Sequence, residues 1–205
     1  PFVMVDSDPT PGIPCVNIDD EAGAYAAMTY ALGRGHRQIA IFGIRSGHHG
    51  DYHKYAGTLQ RRIAGYARAL ADYGLSLSDS NVRLFECECD AEGGREGLQA
   101  LWQSRWQPTA IVAMADVIAI GVMQAASALG LRIPDDLSVI GYDDIEASSL
   151  TCPALTTVHQ PTLEKGHVAA RLLLQRIEVA SLQAEHVVLP VELVERQSFR
   201  TVSAG

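Results

Sequence analysis

Hydrophobic positions along the chain switch repeatedly between two spacings. From residue 18 to residue 142, stretches with an apolar residue every three or four positions alternate with short uninterrupted apolar runs. The first spacing belongs to amphipathic helices and the second to strands buried on both faces. After Asn17, a helix start at Asp19 or Asp20 places Ala22, Tyr25, Met28 and Leu32 on one face, with Gly35 ending it. The run IAIFG at 39–43 predicts a strand, and a Gly- and His-rich loop covers 44–57. Leu59, Ile63, Tyr66 and Leu70 mark the next helix, stopped by Gly74. A strand is expected over 82–87, and a helix over 92–104 carries Leu98, Leu101 and Trp102. TAIVAM at 109–114 reads as another strand. Asp116 stands where a helix N-cap belongs, ahead of a helix expected to pack Ile120, Met123 and Leu129 and to end at Gly130. The PDD turn at 134–136 then returns the chain to the strand SVIGY at 138–142.

Four strand–helix alternations with short connections predict an α/β fold built on a doubly wound parallel sheet. Beyond Asp144 the pattern changes to an irregular connection containing Pro153 and the pair Thr156 and Thr157, a helix over 162–178, and the strand-like VVLPVELVE at 187–195. The first residues and this tail read as pieces of a second, incomplete lobe, joined to the main one by more than one crossing of the chain. Asp143 and Asp144 directly follow SVIGY, at the strand end where open parallel sheets bind their ligands. One of the two is expected to brace a turn through its backbone N–H groups and the other to face the cleft.

Composition narrows the function classes. Of 205 residues 47% are hydrophobic, enough for a sizeable core. A formal net charge of −8 leaves no basic excess to hold a phosphate backbone, so nucleic acid is not expected as a direct partner of these residues. No apolar run approaches the roughly 20 residues of a membrane span. The chain opens at Pro1, without Met or a secretory leader, and is taken as a piece of a longer protein. Cys15, Cys87, Cys89 and Cys152 are scattered without a CxxC pair, which fits reduced thiols in the cytosol. No GxSxG elbow, Walker loop or HExxH occurs, and neither an enzyme nor a cofactor is expected. His48, His49 and His53 with Asp51 carry metal-compatible donors but lack the fixed helical spacing of a strong site, so no metal is expected. Glu86, Glu88, Asp90 and Glu92 read as a solvent-facing strand edge, and His36 as a packed or hydrogen-bonded residue at a helix end.

Several stretches match one family in order and spacing: NIDDEAGAYAAMTYALGRGHRQIAIFG (17–43), RIAGYARALADYGL (62–75), GLRIPDDLSVIGYDD (130–144), PALTTVHQP (153–161) and LPVELVERQS (189–198). On these the chain resembles the effector-binding domain of LacI/GalR-type bacterial transcription regulators. The resemblance implies two Rossmann-like, periplasmic-binding-protein-like lobes crossed three times by the chain, near Asn17, His159 and Leu189. Residues 18–158 with 189–205 would form a nearly complete C-terminal lobe, and residues 1–17 with 159–188 part of the N-terminal lobe. The helix-turn-helix DNA reader is absent, so operator DNA would be reached only through that missing domain.

Carried over residue by residue, the resemblance implies Arg62, Asp143 and Gln160 as ligand contacts, with Arg61 facing solvent. Cys89, Ala115, Asp116 and His159 are further candidates. Ala115 stands where the family usually has Asn, and Cys89 or a neighbour where some members present an aromatic ring. The implied partner is a small effector such as a sugar or nucleobase, in a cytoplasmic homodimer. A periplasmic solute-binding protein uses the same clasp and is the alternative; an upstream helix-turn-helix or a secretory leader would separate the two.

Overall fold

The computed structural model describes residues 1–48, 51–104, 106–179 and 183–202. Strands β1 (Met4–Val5) and β2 (Cys15–Ile18) pair in parallel and lead into helix α1 (Asp20–Gly33). The Asp19 side chain accepts from Ala22 N at 3.0 Å, satisfying a donor the first helical turn would otherwise leave bare. At the other end Gly35, with φ at +89°, turns the chain out of the helix. The buried stripe of α1 runs through Ala24, Ala27, Met28, Ala31 and Leu32, while Ala22 and Tyr25 lie at its margin.

The alternation read from the sequence continues through β3 (Ile39–Ile44), α2 (Gly57–Asp72), β4 (Val82–Cys87), α3 (Ala91–Gln103), β5 (Ala110–Ala113), α4 (Asp116–Ala128) and β6 (Ser138–Ile140). The four strands form one parallel sheet in the order β4-β3-β5-β6, so the direction of winding reverses between β3 and β5. Alternate side chains serve opposite faces. Ile39, Ile41 and Val112 join Met28, Ile63 and Tyr66 on the α1–α2 side. Ala40, Phe42 and Ile111 join Leu98, Leu101 and Ile118 on the α3–α4 side.

Glycines let the helices meet backbone to backbone. A Cβ on Gly65 would sit 2.3 Å from Glu21 O of α1. Between α3 and α4 the fit is reciprocal: a Cβ on Gly94 would lie 2.2 Å from Ile118 O, and one on Gly121 2.1 Å from Ala91 O. Leu129 departs from expectation and is 43% exposed. Helix α4 ends at Ala128 and the chain turns at Gly130, so Leu129 falls past the stripe of Ile118, Val122 and Ala126.

The tail holds more regular structure than its composition announces. The connection after Asp144 contains helix α5 (Glu146–Leu150) and strand β7 (Thr157–His159), followed by α6 (Thr162–Glu178), β8 (His186–Leu189) and β9 (Glu192–Val194). VVLPVELVE is therefore two strands. Pro190 has no N–H to give a ladder, and the chain changes sheets around it. Before it, β8 pairs in parallel with β2 to make the sheet β1-β2-β8, on which α6 packs. After it, β9 pairs antiparallel with β7, and bridges Ile140↔Thr156 and Asp143↔His159 set β7 beside the end of β6. The chain thus leaves or enters the three-stranded sheet at 18–20, 160–162 and 189–192, toward the four-stranded sheet at the first and the two-stranded β7–β9 ladder beside it at the other two. Among the described residues no helix is long and apolar enough to cross a membrane.

Candidate functional site

The carboxyl ends of β3, β5 and β6 open where the winding reverses, the place at which such sheets leave a crevice. Arg62 reaches this place from α2, Asp143 from just beyond β6, and Gln160 from just beyond β7. The three sequence-selected residues therefore converge.

Arg62 is 5% exposed. Its Nε donates to Asp20 Oδ1 at 3.0 Å, its Nη1 donates to Met114 O at the end of β5, and its guanidinium carbon lies 3.6 Å from the centre of the Tyr142 ring. Burial penalises the charge, but Tyr142, Asp20 and Asp143 together outweigh that penalty and the pKa is raised. The remaining Nη2 has no hydrogen bond among the described residues and sits 3.9 Å from Asp143 Oδ1. Arg61 is not the free solvent-facing residue expected of it. Its guanidinium joins the buried Asp20 at 3.1 Å and Asp8 at 2.9 Å, because α1 brings Asp20 between the two arginines.

Asp143 leaves the strand with φ at +117°, its N–H donating to Val158 O at 2.8 Å. Its Oδ1 accepts from Gln160 Nε2 at 2.7 Å, and its Oδ2 has no hydrogen-bond partner among the described residues. Burial pushes its pKa up to about 6; Arg62 opposes this and Asp116 adds to it. Asp144 does not brace a turn. Its carboxylate takes Arg196 Nη2 at 2.6 Å and His159 Nδ1 at 2.9 Å, since its φ of +55° swings the side chain toward the segment after β9. His159 thus borders the site with one ring nitrogen already engaged.

Two weaker candidates are set aside by geometry. Asp116 is fully buried and neither caps α4 nor reaches a cleft. It accepts from Ile145 N at 3.0 Å, Ser148 Oγ at 2.6 Å and Thr157 Oγ1 at 2.5 Å, tying α4 to α5 and β7. Ala115 is 3% exposed and offers no polar side-chain atom. Cys89 is exposed, and partial burial raises its thiol pKa, with the charge of Asp143 adding to the rise and that of Arg62 opposing it.

The loop residues take other roles. Glu86 is not a solvent-facing edge, because it accepts from Ser46 Oγ at 2.5 Å and Tyr55 Oη at 2.8 Å and so holds these two residues on β4. Glu88 pairs with Arg45 at 3.1 Å, and Asp90 caps α3 through Gly93 N at 2.7 Å. Asp51 pairs with Lys54 at 2.8 Å. Among the described residues no three His, Cys, Asp or Glu side chains gather as metal ligands, and His49 lies outside those residues. His36 packs edge-on against Phe199 and hydrogen-bonds Thr109 and Arg200 O, and its burial lowers its pKa.

Sequence reasoning missed Lys165 and Asp6. Lys165 is 6% exposed, and its Nζ donates to Asp6 Oδ2 at 2.6 Å and Gln160 Oε1 at 2.9 Å. A lysine in a helix whose neighbours are polar carries no sign of burial, and its partner lies 159 positions away. A groove of about 870 Å³ reaches Asp143 and Gln160 from the α6 side, with Ile145, His159, Leu163 and His167 also in its wall.

Residues 28–199 match the family described as the periplasmic binding protein-like domain. The chain is 36% identical over 204 residues to the HTH-type transcriptional repressor PurR of Vibrio vulnificus, an alignment covering 99% of this chain and 58% of that protein. It is 38% identical over 176 residues to the ribose operon repressor of Haemophilus influenzae, covering 86% of this chain and 50% of that one. The chain therefore spans between half and three fifths of the length of these relatives. Among solved structures, a LacI family transcriptional regulator from Enterococcus faecium with bound ribose superposes with a TM-score of 0.88 at 30% identity, covering 99% of this chain and 72% of that one. Sequence, fold and the order of the pieces agree, and the chain belongs to the LacI family of transcriptional regulators, within its periplasmic-binding-protein-like portion.

Proposed function

We propose that this chain is the effector-sensing part of a bacterial transcription regulator, and that Arg62, Asp143 and Gln160 hold a small hydroxylated molecule between its two lobes. One observation carries the reading. At the crossing between the sheets, Arg62 Nη2, without a hydrogen bond among the described residues, lies 3.9 Å from Asp143 Oδ1, the carboxylate that also takes Gln160 Nε2 at 2.7 Å. A hydroxyl pair can give a proton to one and accept from the other. The relative with bound ribose supports this ligand class.

In this reading residues 18–158 with 189–205 act as one lobe, and 1–17 with 159–188 belong to the other. Effector bound more tightly in one lobe arrangement shifts the protein toward it, and coupling of about 1–3 kcal/mol would change operator affinity roughly 5- to 150-fold. Operator DNA is read by a helix-turn-helix outside these residues, in a cytoplasmic homodimer whose two readers address paired half-sites. The named relatives are repressors, which supports a sensing role over catalysis.

Thermal-shift titration of the intact protein with D-ribose tests the reading, because a ligand selective for the folded form raises its melting temperature. A shift in the wild type that vanishes in both Arg62→Ala and Asp143→Ala is expected. A shift that persists at full affinity in both variants moves the pocket elsewhere.

A further inference from the structure

We propose that Lys165 is a positioning residue of the effector site, one that fixes which way the Gln160 amide points and so sets Gln160 as a donor to the ligand. The proposal rests on the effector reading above and deepens it. Four side chains from four segments form one unbroken run: Asp6 after β1, Lys165 in the first turn of α6, Gln160 at the crossing, and Asp143 after β6. The links are 2.6 Å from Lys165 Nζ to Asp6 Oδ2, 2.9 Å from Lys165 Nζ to Gln160 Oε1, and 2.7 Å from Gln160 Nε2 to Asp143 Oδ1.

The two ends of an amide look alike in shape, and their neighbours decide between them. An ammonium only donates and an ionised carboxylate only accepts. Gln160 must therefore turn its oxygen to Lys165 and its NH₂ to Asp143. One amide proton is spent on Asp143, and the second has no partner among the described residues, so it is what Gln160 can offer a ligand. Arg62 Nη2 lies 3.9 Å from the same Asp143 Oδ1 that Gln160 engages, so a ligand at this carboxylate meets two donors, with Asp143 Oδ2 as the acceptor left open among the described residues. A ligand fits when it turns acceptor oxygens toward Gln160 and Arg62 and a hydroxyl proton toward Asp143.

Lys165 is itself held in place. Asp6 adopts φ of +52° directly after β1 while its N–H donates to Val16 O at 3.1 Å, which aims its carboxylate back at α6. The ammonium is enclosed, so its charge stays beside Gln160 rather than swinging into water. Loss of Lys165 leaves the amide with one anchor, free to turn about it. Loss of Gln160 leaves Lys165 nothing to orient.

A double-mutant cycle on the intact protein tests this, with Lys165→Met, Gln160→Ala and the pair together. D-ribose titration gives one readout: Lys165→Met is expected to weaken binding about tenfold, and to have less than a twofold effect once Gln160 is Ala. A purely structural Lys165 would weaken binding equally on both backgrounds, and that result overturns the proposal. Urea denaturation of the same four proteins without ligand gives the second readout. The midpoint loss of the double variant is expected to fall short of the sum of the single losses, and full additivity again overturns the proposal. If the wild type binds no ribose, the effector reading loses its support while the ligand-free cycle still decides whether Lys165 holds Gln160.

Discussion

Arg62 lies over the ring of Tyr142, its guanidinium carbon 3.6 Å from the ring centre, and Tyr142 is the residue directly before Asp143. The strand that delivers the acceptor thus also supplies the platform for the donor. A guanidinium over an aromatic face is attracted by the ring's negative face, the more so where water is excluded. Combined with Asp20 and Met114 O, this fixes the one free edge of Arg62 toward Asp143.

Replacement of Arg62 by Ala is expected to destabilise the fold by about 3 kcal/mol, since it removes one partner of a buried pair. The loss stays at the low end because Arg61 keeps two hydrogen bonds to Asp20. Arg61→Ala, whose side chain is 26% exposed, is expected to cost less than half as much and to leave effector binding intact. Urea midpoints and D-ribose titration of the two variants separate the roles.

The raised pKa of Asp143 sets a pH window with a definite sign. An unfolded carboxylate ionises near pH 4, whereas burial delays Asp143 to about 6. Its burial is therefore free of penalty below roughly pH 4, and stability falls as pH climbs to 6, by about 3 kcal/mol from this group. Effector affinity runs the other way, because the ligand needs the ionised acceptor. It is expected to drop tenfold per unit below pH 6, and Asp143→Asn is expected to flatten the profile. Titration calorimetry between pH 5 and 8 reads the affinity, and urea midpoints between pH 4 and 7 read the stability.

Asp116 carries the opposite kind of role to the one its place in the chain suggests. Asp116→Ala strands three donors, from Ile145, Ser148 and Thr157. A loss of about 4 kcal/mol is expected, at about 1.5 kcal/mol for each bond to a charged group less some recovery by water. Hydrogen exchange is expected to speed up first in α5 and β7, the elements that Asp116 secures.

The glycine contacts give a paired test. Gly121→Ala puts a methyl 2.1 Å from Ala91 O and is expected to cost about 3 kcal/mol or to force α3 and α4 apart. Gly166→Ala, in α6 with nothing within 4 Å, is expected to stabilise by about 0.5–1 kcal/mol through helix propensity alone. Thermal melts of the two variants should move in opposite directions.

The layered fold was legible wherever local signals and burial agree. A helix start at Asp19 or Asp20, Gly35 and Gly74 as stops, and the uninterrupted run at 109–114 each express one local preference that the tertiary structure keeps. Strand β7 was not legible, because three residues acquire strand geometry only by pairing with β9, some 35 positions downstream. Asp116 misled for a similar reason: an aspartate ahead of a helix looks like a cap until Ser148 and Thr157 come to surround it. In the site, Arg62, Asp143 and Gln160 followed from the resemblance and do meet, while Asp6 and Lys165 have no meaning apart from each other.

Where α3 and α4 touch through Gly94 and Gly121, and α1 and α2 through Gly65, carbonyl oxygens rest on α-carbons with no side chain between to act as a cushion. Surfaces joined that way can neither slide nor be squeezed, so a bound molecule cannot be accommodated by loosening the walls that carry Arg62 and Asp143. In the proposed two-lobe reading, what the protein yields comes from the three stretches of backbone between the sheets, and a signal sent from the pocket would leave as a rotation about them.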